Sequence, residues 1–599
     1  MMAVVWLILI AGAALGYGYL IARALQLTLV TRLERGTITI GLGAGFLVIA
    51  IFVLGLLHLI GRGSSLLLIL PAAAFALWKV VTAPWEVPGA ATQPRGLRLA
   101  LLSALAICVV ANILGTLAPP SFVDALVYHL FIPRTYARAG GIVELSWIWQ
   151  SYQPLGVEML FTLGFSLQGA TLAALNHTGL GILAACATGL LGRRIAGPLG
   201  GLVAAVIFYC TAMLAWESTS SFVELGITAF SALGFYALLR WTDDENPRWL
   251  IVAAFLMGIA GTCKLTAIQF AVIACALVAW ISWRRHRPFG VIAGRVATFS
   301  GVALGPCVPW YIHSYLWTGN PVYPFAAKVF GANQDYDNVW QILSHYGHGH
   351  GVLDLLLVPW LLLSSGALFD SAQYLSPLPL IFAPLIVMRL RGSRDRQVLG
   401  AAAGALFILW LSSAHIARYL VPLQPLFAVL AADAICAAAV GCRYRARLMV
   451  LTGALFVGFG TLSTLLFLKT LAPVVFGRES AEAYLTRTAA WYTVYQMVMA
   501  DVPENGLIFT NQGPTYYLDR PHVRVRDAEF LAGPERLSKL LAGGPYTHIL
   551  VHGQLGIEAS VTALGPRVKL LWHRELEMPL SRTFGGTVKL PSALFEIVR

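Results

Sequence analysis

The sequence predicts a mainly α-helical, polytopic transmembrane bundle with a small extracytoplasmic α/β domain at its C-terminal end, and three observations carry that prediction. Hydrophobic residues make up 58% of the chain and charged residues 12%, where a soluble domain carries roughly 25% charge. Mean hydropathy is +0.74. Apolar runs of the length that crosses a bilayer, roughly 17–25 residues, follow one another as far as residue 470. Beyond that point polar, periodic sequence takes over.

The basic residues order these runs. A net charge of +13 in a soluble protein would suggest a nucleic-acid partner. Here the charge sits in short loops: Arg23/Arg32/Arg35, Lys79/Arg95/Arg98, Arg193-Arg194, Arg240/Arg248, Arg284-Arg285-His-Arg287, Arg389/Arg391/Arg394/Arg396 and Arg443/Arg445/Arg447. That is the positive-inside pattern, and no nucleic-acid partner is expected. With every cluster cytoplasmic, about fourteen spans are expected, near 3–22, 38–61, 65–82, 99–118, 172–192, 197–214, 225–241, 249–263, 265–283, 296–316, 375–388, 397–413, 419–437 and 448–469. The N-terminus then lies outside.

The apolar pieces 121–138, 155–170 and 353–370 would put arginine clusters on the wrong side if counted as crossings. They are expected in the outer interface or part way into the membrane. The run at 3–22 has no basic n-region and no cleavage site, so a retained first helix is expected. All eight cysteines lie in or beside spans, which leaves the exported tail without a disulfide framework. In that tail Glu479 to Met499 and Ala528 to Leu541 read as helices. Gly506-Leu-Ile-Phe-Thr510 and Thr547-His-Ile-Leu-Val551 read as buried strands. The division is 1–98 for the first transmembrane helices, 99–470 for the core with its external loops, and 471–599 for the extracytoplasmic domain.

The external face gathers the residues suited to chemistry. Ser121-Phe-Val-Asp124-Ala-Leu-Val-Tyr-His129 and Ser221-Phe-Val-Glu224 each follow an apolar helix, and carboxylates at a membrane boundary usually mark a site. Both acids could serve instead as helix N-caps. Their company, His129, Arg134 and Glu217, supplies more polar groups than capping needs. Lys264 interrupts Met257-Gly-Ile-Ala-Gly-Thr-Cys-Lys264-Leu-Thr-Ala-Ile, and Arg418-Tyr419 opens a later span. Such cations either snorkel or meet a lipid phosphate, and a guanidinium is shaped for bidentate phosphate recognition. The loop Trp317-Thr-Gly-Asn-Pro-Val-Tyr-Pro-Phe325 is stiffened by proline, with aromatics for an interfacial belt or for stacking on a ligand. His345-Tyr-Gly-His348-Gly-His350 lacks helical i,i+4 spacing and neighbouring cysteines, and no metal site is read there. No P-loop, dinucleotide fingerprint or CxxC pair occurs, so nucleotide-driven chemistry is unsupported and the cofactor stays open.

Together, in this order, Phe122-Val-Asp124-Ala-Leu-Val-Tyr-His129-Leu-Phe-Ile-Pro, Ser221-Phe-Val-Glu224, Gly261-Thr-Cys-Lys264-Leu-Thr-Ala, Thr318-Gly-Asn-Pro-Val-Tyr-Pro and Ala417-Arg418-Tyr419-Leu-Val-Pro-Leu-Gln-Pro425 resemble bacterial membrane glycosyltransferases of the GT-C class. That group includes dolichyl-phosphate-mannose protein mannosyltransferases and aminoarabinose lipid A transferases. In those relatives the second acid is usually aspartate, and here it is Glu224.

The resemblance implies a GT-C-like bundle in the bacterial cytoplasmic membrane. It also implies hexosyl or pentosyl transfer from a polyprenyl-phosphate donor to a lipid, glycan or protein acceptor on the outer side. Asp124 would be the general base with Glu224 as its supporting acid. Lys264 and Arg418 would hold the phosphate leaving group, with His129, Glu217 and Tyr419 contributing to substrate binding. Two alternatives compete: a flippase for a lipid-linked saccharide, which would be expected to show internal repeats not found here, and an O-antigen-type polymerase or ligase.

Overall fold

The structure, a computed structural model, describes residues 2–82, 95–331, 335–337, 339, 344, 346–349, 351–371, 373–439, 443–511, 513–553, 556–579 and 587–598. Two compact units emerge. One comprises Met1–Ala118, Pro133–Glu144 and Tyr152–Val475, and the other Pro119–Ile132, Leu145–Ser151 and Phe476–Arg599.

The first unit is a helical bundle. Among the described residues nine helices are long and apolar enough to cross a membrane, so the chain is a polytopic membrane protein. The difference from the expected fourteen has identifiable causes. Ala170–Tyr209 is in fact two helices: Ala196 and Gly197 leave helical geometry ahead of Pro198, Gly197 with φ +74°. The chain doubles back there, and Gly192 faces Gly200, Gly201 and Ala204. A continuous helix would hold residues 192 and 201 about 13 Å apart. This is the turn expected between 172–192 and 197–214.

Glu224–Asp244 and Pro247–Cys263 also form where expected, but protein surrounds them on nearly every side. The segment read as a span over 375–388 is broken into Leu378–Ile381 and Ala383–Leu390. Pro379 and Pro384 lack the N–H donors that a continuous helix needs, and neither piece is long enough to cross.

Small residues let neighbouring helices touch backbone to backbone. On Met2–Ala24 and Arg32–Leu56, a side chain at Gly18 would run into Thr39 and one at Gly43 into Ala14. Such approach gives membrane helices the van der Waals contact that hydrophobicity cannot supply between them.

Of the three pieces assigned to the interface, Gly156–Leu167 is buried along its length except at Phe165 and Ser166, which are half-buried. Its Leu160 carbonyl accepts from Asn176 Nδ2 at 2.7 Å. Val352–Ser364 keeps the expected apolar face, exposing Val352, Leu353, Leu356 and Trp360.

The arginine loops are cross-linked as well as charged. Glu245 pairs with Arg285, Arg287 and Arg295, Asp433 with Arg389 and Arg396, and Arg194 with Asp243 and Asp395. Glu34 is buried against Arg240 and accepts from the Tyr236 hydroxyl at 2.9 Å. The loop arginines thus also tie helix ends together.

The second unit contains a five-stranded sheet of order β2-β1-β3-β5-β4, with β1 Ile508–Thr510, β2 His522–Arg524, β3 His548–His552, β4 Val568–Pro579 and β5 Thr587–Ile597. β1 is parallel to both β2 and β3, and the hairpin β4–β5 runs antiparallel to β3 through β5. Phe509, Ile549, Val551 and Phe595 bury one face under Phe530, Leu537 and Ile557, while Ile508, Leu550 and Leu594 bury the other under Val494, Tyr495 and Val498.

Each long helix expected here is two. Trp491, at φ +70°, separates Ala481–Thr488 from Tyr492–Asp501. Gly533, at φ +99°, and Pro534 separate Asp527–Leu531 from the helix that follows. The β4–β5 hairpin was not read from the sequence, because charges and Pro591 blur its alternation.

Candidate functional site

One end of the first unit collects five of the seven predicted residues. The helices Glu224–Asp244 and Pro247–Cys263 form an antiparallel hairpin, turned by Glu245 in the left-handed region at φ +56° and restarted by the Asn246 cap and Pro247. With 21 and 17 residues rising about 1.5 Å each, the two arms have nearly equal length. Glu224 and Lys264 therefore meet at the end opposite Glu245. The Lys264 ammonium lies 3.1 Å from Glu224 Oε1, and Glu224 Oε2 accepts from the Val223 N–H at 3.2 Å. The N-cap of this helix is Val223, without a side-chain cap bond, so Glu224 is its first residue rather than its cap and faces a cation.

Lys264 is extended at the helix end, which aims its side chain back across the hairpin. The ammonium sits 3.8 Å from the centre of the Tyr419 ring. Tyr419 and Arg418 lie on the 3₁₀ turn Ala417–Leu423, where Pro422 interrupts the regular hydrogen-bond ladder. The Arg418 guanidinium stacks on Phe222 at 4.8 Å and lies 5.5 Å from Tyr419. Cations over desolvated rings gain up to about 2 kcal/mol apiece, which orients both without spending their N–H donors.

Glu217 completes this group. It lies on the short helix Ala212–Ser218, is fully buried, and neither carboxylate oxygen has a hydrogen-bond partner. Burial first, and Glu224 second, hold its carboxyl well above the usual carboxylate range, against the pull of Arg418 and Lys264.

A hydroxyl network fixes the helix that carries Glu217. Thr178 Oγ1 donates to the Ser218 carbonyl at 2.8 Å, and Thr116 Oγ1 joins both at 3.1 Å to that carbonyl and 2.8 Å to Thr178. Sequence reasoning missed these residues and also His177, whose Nε2 accepts from the Leu225 N–H at 3.3 Å. Each sits inside an apolar run, where no local signal separates it from helix packing.

Asp124 and His129 belong to the second unit. Asp124 is half-buried and immediately precedes a single π-helical turn, Ala125–His129, without a side-chain cap bond. The capping reading of Asp124 therefore fails, and π turns are frequent at functional sites. His129 is buried, with its ring 4.0 Å from that of Tyr128.

Two aromatics of the Trp317–Phe325 loop pack on Tyr152 in the first unit, Tyr323 at 5.4 Å and Trp317 at 6.0 Å. Of the histidine run, His345 and His350 lie outside the described residues, and His348 is 4.0 Å from Asp354. Among the described residues no group of three or more His, Cys, Asp or Glu side chains is arranged to hold a metal ion.

No family model matches the chain, and no curated protein matches its sequence. Solved structures do match its fold. ArnT from Cupriavidus metallidurans bound to undecaprenyl phosphate superposes with a TM-score of 0.55 at 14% identity, over 84% of this chain and 99% of ArnT. The same protein in the apo state gives 0.54 at 15% identity, over 84% and 98%. The architecture is accordingly the fold shared with ArnT, a helical bundle with a small C-terminal α/β domain, as the sequence led us to expect.

Proposed function

We propose that this protein is a glycosyltransferase that moves a sugar from a polyprenyl-phosphate donor to an acceptor on the outer face of the bacterial cytoplasmic membrane. The observation that carries the reading is the paired cation site, with Lys264 and Arg418 each held over an aromatic ring at one end of the bundle. A phosphate leaving group gains most from donors fixed in advance in a site sheltered from water. The undecaprenyl phosphate bound to ArnT, on the same fold, supports a lipid-phosphate donor.

In the reaction the acceptor hydroxyl attacks the anomeric carbon, its proton passes to the Asp124 carboxylate, and the anomeric C–O bond breaks. The electron pair leaves with prenyl phosphate, whose charge Lys264 and Arg418 neutralise. Asp124 is the base in this reading and Glu224 the acid that positions Lys264. His129 and Glu217 are assigned to substrate contact, Glu217 as a neutral donor. Sugar, chain length and acceptor stay open.

Arg418→Gln keeps a polar amide but shortens the side chain and removes its charge. The loss of one charge-assisted contact of about 1.5–3 kcal/mol is expected to cut turnover roughly ten- to a hundredfold. The measurement is release of prenyl phosphate, with sugar appearing on an acceptor, by the full protein in liposomes given a synthetic prenyl-phosphate sugar. Net movement of intact donor across the bilayer, with no bond broken over a broad acceptor panel, would establish a flippase instead.

The external placement rests on helix geometry. Glu224 and Lys264 lie one helix length, about 25–30 Å, from the arginine cluster around Glu245. An impermeant thiol reagent is expected to label Ser480→Cys from outside intact spheroplasts and His286→Cys only after lysis. Labelling of position 480 from the cytoplasmic side alone would reverse the orientation.

A further inference from the structure

The second unit contains a buried arginine whose charge no carboxylate among the described residues balances. Arg524, at the end of β2, is 3% exposed. Its Nη1 donates to the Gly513 carbonyl at 2.5 Å, while Nε and Nη2 have no acceptor. Among the described residues no carboxylate pairs with it. The guanidinium lies 4.5 Å from the Phe131 ring, and the charge-bearing groups that act on it are the Tyr495 phenol and the His552 imidazole. Burial lowers its pKa to about 10, which leaves it charged at neutral pH.

An uncompensated buried charge is among the most destabilising features a fold can hold. Three further unsatisfied groups lie on the same face. Ile508, Leu550 and Leu594 pack toward Tyr495, and two residues along each strand, on the same side by the period of two, come Thr510, His552 and Ser592. Arg524 is the register partner of Thr510, and His552 that of Ser592. Thr510 Oγ1, His552 Nδ1 and Ser592 Oγ are all buried and without partners. Burial drives the His552 pKa down to about 3, so its ring is neutral and its Nδ1 is free to carry a proton as donor. The β2-β1-β3 order makes the C-terminal end of β1 a topological switch point, where open α/β sheets bind ligands.

We infer that this end of the sheet is a binding site for one small oxyanion of the phosphate class, with Arg524 as its cationic ligand and the Thr510, His552 and Ser592 side chains as further donors. Two guanidinium N–H groups in a fork, flanked by hydroxyls and a neutral imidazole, match a tetrahedral oxyanion in both charge and donor number. Near-complete burial of the four residues favours a bare anion over a bulky one. The inference is independent of the transferase reading, since it concerns only groups within the second unit.

The test is thermal unfolding of the full protein in zwitterionic nanodiscs, with inorganic phosphate against chloride at matched ionic strength. Saturating phosphate is expected to raise Tm by about 2–4 °C. A rise in nanodiscs containing phosphatidic acid, without added phosphate, would identify a lipid headgroup as the source of the same chemistry. Arg524→Met is expected to keep or raise the basal Tm, because it removes an unpaired charge, and to abolish the phosphate response. Thr510→Val, which keeps shape and deletes one donor, is expected to fold and to weaken the response several-fold. The inference is overturned if wild-type protein shows no shift with either phosphate source, or if the shift survives Arg524→Met.

Discussion

Asp124→Asn is expected to lower sugar transfer by roughly 10²–10⁴-fold, the usual worth of a general base, while the protein accumulates and unfolds like wild type. The reason lies in what the side chain does and does not do. Asp124 makes no cap bond to the turn that follows it. An amide of the same shape keeps the side chain's volume and removes its basicity. Transfer rate in the liposome assay and Tm are both measured. Wild-type transfer by this variant would remove Asp124 from the chemistry. In the complementary profile, transfer by wild-type protein falls as pH drops through the titration of the base, and the residual transfer of Asp124→Asn loses that limb.

Lys264→Met should have the second large effect, on stability and activity together. Removing the ammonium takes the paired cation from the Glu224 carboxylate, whose side chain is 3% exposed. Breaking one member of a buried pair costs about 3–5 kcal/mol. Adding Glu224→Gln to Lys264→Met removes the carboxylate charge as well and is expected to recover most of that loss. Transfer should stay down roughly ten- to a hundredfold in the double variant, since the phosphate contact is still missing. Chemical denaturation and turnover, read across the single and double variants, separate the two roles. If the double variant regains full transfer, Lys264 serves only to hold Glu224, and Arg418 is left as the phosphate ligand.

Much of the bundle was legible because membrane helices are specified locally. Length, hydropathy and loop charge are properties of contiguous residues, and the turns at Gly197-Pro198 and Glu245-Asn246-Pro247 fall beside the arginines that predicted them. Motif boundaries likewise exposed Glu224, Lys264 and Arg418, since a charge inside an apolar run stands out wherever the chain goes. What stayed hidden was any residue whose type is ordinary for its segment. Thr116, Thr178 and His177 read as packing, and only contacts over 40 residues or more reveal them as supports of Glu217 and Glu224.

The same contrast runs through the C-terminal domain. The strands at Ile508–Thr510 and His548–His552 are short, fully buried and apolar, and so announce themselves. The hairpin that completes their sheet carries charges and a proline. Its pairing depends on partners supplied by the rest of the fold. The expected helices break where Trp491 and Gly533 take positive φ, a choice that tertiary packing makes.

By itself the sequence determined a polytopic helical protein, the arginine-bearing end of its helices, a compact C-terminal domain and the chemical types available at the other end. The tertiary structure alone decided that Glu224 pairs with Lys264, that Tyr419 and Phe222 carry the two cations, and that both Glu217 oxygens and two Arg524 nitrogens are buried without a hydrogen-bond partner among the described residues. Hydropathy and turn chemistry act over a few residues, whereas an ion pair between positions 40 apart exists only after two helices of matched length have folded against each other.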